Sequence, residues 1–399
     1  MTDNPADRPT VTLLPGHQKR ALHGHPWIFS NEIQMDAAAK ALAPGSLATL
    51  RTADGRALGV ATFNPHTLVA ARLLDRDAGR RIDRDFLAKR LKRALGIRER
   101  LYVEPFYRLV HAEADGIPGA VVDRFGAVAV VQLNTAGMAR LEGELAAALD
   151  SVLRPEAIVL RNDSPARALE GLSEEVRVAS GQVSDAVEVR ENGTRFAVDL
   201  IGGQKTGWFY DQRDNRAFMA KLAKDAKVLD LYCFVGGFSI EAAAVGASGV
   251  TGIDRSEPAL ALAARSAALN GLGERCQFRR GEAFAELQTL ASARERFDVV
   301  IADPPAFVKS KKDLGPGLRG YRKLARLAAG VVAPQGYLFL ASCSHNVSPD
   351  DFWEAVRRGL EDAGRSARLL RSAGAAPDHP VHPHLPESAY LKALVLALD

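Results

Sequence analysis

The run Asp230-Leu231-Tyr232-Cys233-Phe234-Val235-Gly236-Gly237-Phe238-Ser239 places a carboxylate just ahead of paired glycines, where an apolar strand gives way to an alanine-rich helix. Glycines let a backbone approach a ligand closely and adopt torsion angles that other residues resist. A carboxylate there is awkward for a pyrophosphate, which wants amide donors and no neighbouring anion. It suits a ligand carrying an ammonium or sulfonium group. The turn is not G-x-G-x-x-G, so the dinucleotide fingerprint fails in detail. Asp254 follows 24 residues later at the end of the next apolar run, where an acid can accept both hydroxyls of a ribose. Glu282, in Gly281-Glu282-Ala283-Phe284 after a third run, is placed to meet an adenine edge or its exocyclic amine. Any one of these acids is an ordinary loop residue. Three at successive strand ends, with the glycine turn, predict an adenosine-type ligand, and S-adenosylmethionine fits better than NAD.

The elements that must hold these groups alternate from about residue 185 onward. Lys227–Tyr232, Gly249–Asp254, Phe297–Ala302 and Gly336–Ala341 are buried-type strands with helical stretches between them, the pattern of a parallel sheet wound on both faces. Each ends in a polar cluster, where open α/β sheets bind ligands. Ser256 can cap the helix after Asp254 and Asn270-Gly271 can end it. Glu191-Asn192-Gly193-Thr194 reads as a hairpin turn between two short strands. Upstream, short apolar runs at 11–14, 46–50, 58–63 and 68–74, the middle pair flanking Ala53-Asp54-Gly55, predict a small β-barrel or sandwich. Residues 76–184 mix helix and strand: Leu87, Leu91, Ala94 and Leu95 mark one helix, and Met138, Leu141, Leu145, Ala148 and Leu149 a second. Strand-like runs lie at 120–122, 127–131 and 157–160. There is no internal repeat or low-complexity tract.

Length and composition fit this reading. A chain of 399 residues, 47% hydrophobic and 25% charged, is a globular protein of two or three domains. It has no apolar run long enough for a membrane helix, and its polar, acidic N-terminus is unlike a secretory signal. Three cysteines make no disulfide scaffold and no metal-type pair, so a reduced, cytoplasmic setting without a metal is the default. Fifty-two basic against forty-eight acidic residues leave +4, which permits a polyanionic partner without establishing one. Two clusters concentrate that charge. Lys19-Arg20-Ala21-Leu22-His23-Gly24-His25-Pro26-Trp27 is basic and aromatic together, suited to phosphate contact and base stacking. Lys309, Lys311, Lys312, Arg319, Arg322 and Lys323, with Gly315-Pro316-Gly317 interspersed, read as a basic, glycine-containing loop.

The residues around the cofactor turn resemble a class I, Rossmann-like S-adenosylmethionine-dependent methyltransferase. Gly203-Gln204-Lys205-Thr206-Gly207-Trp208-Phe209-Tyr210-Asp211-Gln212-Arg213, just upstream, resembles a distinctive segment of the RlmI-like 23S rRNA cytosine-5 methyltransferases. The likeness extends over nearly the whole chain. The Lys19–Phe29 stretch resembles their N-terminal PUA domain, Arg108–Gly119 their central domain, and Asp378-His379-Pro380 through Tyr390-Leu391-Lys392 their C-terminal end. The resemblance implies a PUA-like RNA-binding β-barrel over 1–75, a small α/β central domain over 76–184 and the methyltransferase domain over 185–399. It implies cofactor contacts from Thr206, Gln212, Arg213, Asp230, Gly236, Gly237, Phe238, Asp254, Arg255, Glu282, Ala283 and Asp303. RNA contacts fall on Lys19, Arg20, His25, Trp27, Lys309, Lys311 and Lys312, toward unassembled or partly assembled 23S rRNA. A homodimer is compatible with the sequence.

The implied chemistry centres on Asp303-Pro304-Pro305-Ala306-Phe307 and Ser342-Cys343-Ser344, which close the fourth and fifth strands. Carbon 5 of cytosine is a poor nucleophile until a thiolate adds to carbon 6, so the reaction demands a cysteine able to ionise. Cys343 sits at a strand end among hydroxyls, whereas Cys276 opens a strand and Cys233 lies in the cofactor turn. Asp303 can accept from the exocyclic amine that cytosine has and uracil lacks. If protonated, it donates to ring nitrogen 3 instead. Many RNA cytosine-5 enzymes carry a second cysteine in this cluster; here Ala306 is nearby and there is none, which leaves the base for the carbon-5 proton unassigned. His345 stands in the following loop. Three rival functions are an rRNA guanine methyltransferase, which needs no nucleophilic cysteine, a nicotinamide oxidoreductase, and a non-catalytic RNA-binding protein.

Overall fold

The computed structural model describes residues 3–399; Met1 and Thr2, the start of the expected 1–75 segment, lie outside the described residues. The chain forms two compact units. One takes the residues up to Val187 with Asp199–Trp208 and Asp378–Ser388, the other Glu188–Val198, Phe209–Pro377 and Ala389–Asp399.

The first unit holds two five-stranded sheets. The N-terminal sheet runs in the order Thr10–Thr12, Ser46–Arg51, Ala57–Phe63, Val69–Asp75, Trp27–Phe29. Its inward residues, among them Val11, Leu50, Phe63, Ala71 and Ile28, share one buried core. Both outer strands pair on one side only, so the expected barrel is a half-barrel. The other sheet runs Glu175–Ser180, Ala157–Asn162, Val128–Leu133, Ala120–Phe125, Phe106–His111. Helices Arg84–Leu101 and Glu142–Leu153 bury Leu87, Leu91, Ala94, Leu145, Ala148 and Leu149 in its core. The helix predicted through Met138–Leu149 is broken at Leu141 (φ −94°, ψ 13°) into Ala136–Arg140 and Glu142–Leu153. The apolar spacing hides the break because Leu141 itself remains in the core.

The second unit is built on a seven-stranded sheet: β1 Lys227–Leu231, β2 Gly249–Asp254, β3 Cys276–Arg280, β4 Phe297–Ala302, β5 Val332–Ser342, β6 Ala367–Ala373 and β7 Lys392–Leu398. Their order is β3-β2-β1-β4-β5-β7-β6. The first five are parallel and β7 runs antiparallel between β5 and β6. The order reverses between β1 and β4, so the C-terminal ends of β1–β5 make one edge at a topological switch point. The start of β7 reaches that same edge, with Lys392 paired opposite Ser342. Apolar residues of alternate parity feed two cores, one on each face of the sheet. The predicted hairpin is present as Val187–Glu191 and Thr194–Val198, turned by Asn192 (φ 50°) and Gly193 (φ 80°).

A further expectation is overturned. The basic segment after β4 is not a loop: Lys311–Asp313 forms a 3-10 turn and Leu314–Ala329 a helix, so Gly315, Gly317, Arg319, Arg322 and Lys323 are helical. Gly317 serves packing. A Cβ on Gly317 would lie 2.2 Å from Val308 Cγ2 and 3.0 Å from the Phe307 carbonyl oxygen, so only glycine lets this helix close onto the segment after Asp303.

Candidate active site

The cofactor turn is tightly curled. Tyr232 (φ 62°), Phe234 (φ 52°) and Gly236 (φ 82°) all adopt left-handed backbone, which costs energy at the two aromatic positions and is held by surrounding contacts. Two carboxylates supply part of that hold. Asp230, 1% exposed, accepts at Oδ2 from the Ser239 amide (3.0 Å) and hydroxyl (2.6 Å) at the start of helix Gly237–Ala244. Asp254 accepts at Oδ2 from the Phe234 amide (3.0 Å) and at Oδ1 from the Ser256 amide (2.9 Å). Glu282 is the N-cap of helix Ala283–Ser292, accepting from the Ala285 amide at 2.9 Å. Burial pushes the Asp230 carboxyl up to about 7, against the Ser239 hydrogen bonds, and the fields of Asp303 and Asp254 push it further the same way. A buried acid kept partly protonated by desolvation gains most from a cation brought beside it. That chemistry fits the ammonium and sulfonium of S-adenosylmethionine.

The remaining expected cofactor residues are dispersed in role. Gly237 and Ala283 are buried at their helix starts, and Arg255 is exposed beside Asp254. The Phe238 ring packs into the core against Phe339, with centroids 5.1 Å apart. Arg213 donates to buried Glu191 (3.0 Å), in a network with Arg216, Glu241 and Asn192. Thr206 belongs to the first unit, where its hydroxyl donates to Asp123 at 2.6 Å. Gln212 faces the chemistry: its Nε2 donates to Asp303 Oδ2 at 2.9 Å, and Asn215 Nδ2 donates to its Oε1 at 2.7 Å.

β4 and β5 are parallel neighbours, with Ala302 opposite Leu340, so Asp303 and the Ser342-Cys343-Ser344 run leave one edge side by side. A hydroxyl network fixes the cysteine's neighbours. Ser342 Oγ donates to Tyr321 Oη (2.8 Å), Tyr321 and Ser344 hydroxyls meet at 2.9 Å, and the Val308 amide donates to Ser344 Oγ (3.3 Å). Lys392 Nζ donates to the Ser344 carbonyl (2.6 Å) and the Tyr390 carbonyl (2.8 Å). Cys343 is half-buried, while Cys233 and Cys276 are buried with thiols pushed up chiefly by desolvation. Exposed His345 lies against the Tyr390 ring at 5.2 Å. Sequence reasoning gave Asn215 no role and named Lys392 only within the C-terminal resemblance. A further signal for Lys392 was a charge heading an otherwise wholly apolar strand.

The two basic clusters differ. Lys309, Lys311 and Lys312 are exposed, and Asn346 Nδ2 donates to the Lys309 carbonyl (3.3 Å), tying the segment to the loop after Cys343. Arg322 is paired with Asp362, and Lys323 lies over the Phe284 ring at 4.8 Å. In the first unit Lys19 is exposed, but Arg20 contacts His25 (2.9 Å) and covers Phe29. The Trp27 indole N–H donates to Glu113 at 2.7 Å, fixing a half-buried ring. Burial, then Arg20, lowers the His25 pKa. Among the described residues no cluster of His, Cys, Asp or Glu is arranged to hold a metal, and no helix is long and apolar enough to cross a membrane.

Comparison with known proteins adds the family. Residues 165–397 match the S-adenosylmethionine-dependent methyltransferase family, and residues 11–76 match a PUA-like domain. Ribosomal RNA large subunit methyltransferase I of Pseudoalteromonas atlantica is 36% identical over 389 residues, 96% of this chain and 98% of that one. The protein of the same name from Aeromonas hydrophila is 36% identical over 97% and 98%. A chain from Streptococcus mutans assigned as a SAM-dependent methyltransferase superposes with a TM-score of 0.82 at 20% identity, covering 98% of this chain and all of its own. A methyltransferase solved with S-adenosylhomocysteine matches equally well, over 98% and 99%. S-adenosylmethionine is therefore the cofactor, and the chain belongs to the S-adenosylmethionine-dependent methyltransferases, in the family of ribosomal RNA large subunit methyltransferase I.

Proposed function

We propose that this enzyme methylates carbon 5 of a cytosine in 23S rRNA, with Cys343 as nucleophile and Asp303 holding the base. What supports the reading is adjacency: the nucleophile candidate and a positioned carboxylate end neighbouring parallel strands, beside the acid-lined cofactor turn. S-adenosylmethionine, when bound, supplies an electrophilic methyl on sulfonium. The Cys343 thiolate adds to carbon 6, forming a sulfur–carbon bond and making carbon 5 enamine-like. Carbon 5 then takes the methyl as the methyl–sulfur bond breaks, its electron pair leaving with S-adenosylhomocysteine. Loss of the carbon-5 proton to a base restores the ring double bond as the sulfur–carbon bond breaks and the thiolate leaves. Asp303, held by Gln212, accepts from the cytosine amine.

In this reading residues 1–75 form an RNA-binding PUA-like domain, 76–184 a central domain and 185–399 the catalytic domain. Lys309, Lys311 and Lys312 contact phosphates around a flipped nucleotide, and Lys19, with the Arg20–His25–Trp27 surface, contacts RNA elsewhere. The substrate is unassembled or partly assembled rRNA in the cytoplasm. Cys343→Ala, incubated with labelled S-adenosylmethionine and unmodified 23S rRNA, is expected to lose transfer by about 10³-fold or more while still binding S-adenosylhomocysteine. Full transfer by this variant overturns the mechanism, and label on guanine identifies the rival chemistry.

A further inference from the structure

We propose that Lys392 is a positioning residue that holds Cys343 in its thiolate form. The inference rests on reading Cys343 as the nucleophile and deepens that reading. Lys392 opens β7, whose six other residues are Ala, Leu and Val, and it is only 8% exposed. Lysines are almost never this buried without a partner for the charge. No carboxylate pairs with Lys392 among the described residues; its two hydrogen bonds run to the neutral carbonyls of Ser344 and Tyr390. Two of its three N–H groups are thus used to anchor the ammonium, and its charge is left without a counter-ion. The anchor is specific to the cysteine: Lys392 is the ladder partner of Ser342, just before Cys343, and binds the carbonyl of Ser344, just after it. A positive charge anchored on the carbonyl of the residue after a thiol favours the thiolate.

The surrounding groups agree with that role. Burial lowers the Lys392 pKa from its usual range, and a negative Cys343 raises it again, so the two charges support each other. Tyr321, from helix Leu314–Ala329, is another titratable group coupled to Cys343. Burial, with a smaller push from Cys343, raises its hydroxyl pKa, so it stays protonated and bonded to Ser342 and Ser344. Tyr390 and His345 pack against each other with tilted rings at the same edge. Tyr390 is turned toward Asp211, to which its hydroxyl donates.

The test is the pH dependence of iodoacetamide alkylation, read by peptide mass at Cys343, for the wild type, Lys392→Met and Lys392→Arg. The wild-type midpoint is expected below the ordinary thiol value of about 8.5. Lys392→Met should raise it by about one pH unit or more, and Lys392→Arg should recover at least half of that shift. The acid limb of the kcat/KM profile for RNA should move with the midpoint. A wild-type midpoint at or above the ordinary thiol value overturns the proposal without any variant. A midpoint unchanged in Lys392→Met, with melting and S-adenosylhomocysteine binding intact, overturns it as well. The two readings fail separately: transfer retained by Cys343→Ala removes the nucleophile, whereas transfer lost with an immobile midpoint removes only Lys392.

Discussion

The two halves of the sheet's C-terminal edge are organised differently. On the β1–β2–β3 side each acid is held by backbone amides, with the Ser239 hydroxyl added on Asp230: Ser239 for Asp230, Phe234 and Ser256 for Asp254, Ala285 for Glu282. On the β4–β5 side the groups are held by side chains from distant segments. Gln212 reaches Asp303 across 91 positions, Tyr321 reaches Ser344 across 23 and Lys392 reaches it across 48. A site held by its own backbone survives substitution of nearby side chains, and a site held by remote side chains does not.

The sharpest test of that contrast is Gln212→Ala. It removes the donor to Asp303 and leaves Asn215 without its acceptor on that residue. Hydrogen bonds to a charged group are worth about 1.5–3 kcal/mol, so kcat/KM for RNA is expected to fall by about 10- to 100-fold. Calorimetry should find the affinity for S-adenosylhomocysteine changed by less than about threefold, well under 1 kcal/mol. A larger loss in cofactor affinity than in turnover would instead support the cofactor contact that the sequence predicts for Gln212.

The Gln212–Asp303 pairing shows what could be read in advance and what could not. The alternation of strands and helices, the Asn192-Gly193 hairpin and the acids at three strand ends are local signals of spacing and turn chemistry, and the fold carries them. Ser256 as a cap was equally visible, because its partner Ala259 is three residues away. Pairings across the chain have no period. Nothing near Gln212 announces Asp303, and nothing near Ser344 announces Lys392. The basic segment after β4 was misread for a related reason. Gly315-Pro316-Gly317 signals a turn locally, whereas the tight approach of Gly317 to Val308 makes a helix the better packing. Pro316 is tolerated there because it falls in the first helical turn, where its missing N–H costs nothing.

Asp230 sharpens the comparison from the cofactor side through its titration. Its folded carboxyl is raised to about 7 from an ordinary value near 3.8. The fold therefore favours the protonated acid: that contribution to stability is present in full below the ordinary value and is lost as pH rises through about 7. A cationic ligand reverses the preference, so binding expels the proton. S-adenosylhomocysteine keeps the donor's ammonium, and its affinity is expected to rise about tenfold between about pH 6 and pH 8, where the ionised fraction grows from roughly a tenth to nearly all. Asp230→Asn should flatten the profile. A flat wild-type profile would leave the carboxylate as a clamp on Ser239 alone, with no part in recognising the cofactor.

The smallest effect is expected where the backbone does the holding. Ser256→Ala deletes an N-cap whose hydroxyl accepts from the Ala259 amide at 3.4 Å, a long bond. It leaves the Ser256 amide that donates to Asp254 at 2.9 Å. The helix should lose about 0.5–1 kcal/mol. Melting should fall by roughly 1–4 °C, a shift set by the size of the unit that unfolds. The affinity for S-adenosylhomocysteine should stay within about twofold, because neither oxygen of Asp254 loses its donor. The same size of change, one polar side chain cut to alanine, would then cost the β4–β5 side its turnover and the β1–β2 side almost nothing. If Ser256→Ala instead weakens the cofactor as strongly as Gln212→Ala slows methylation, the amides are not what fixes Asp254, and the two halves of the edge are built alike.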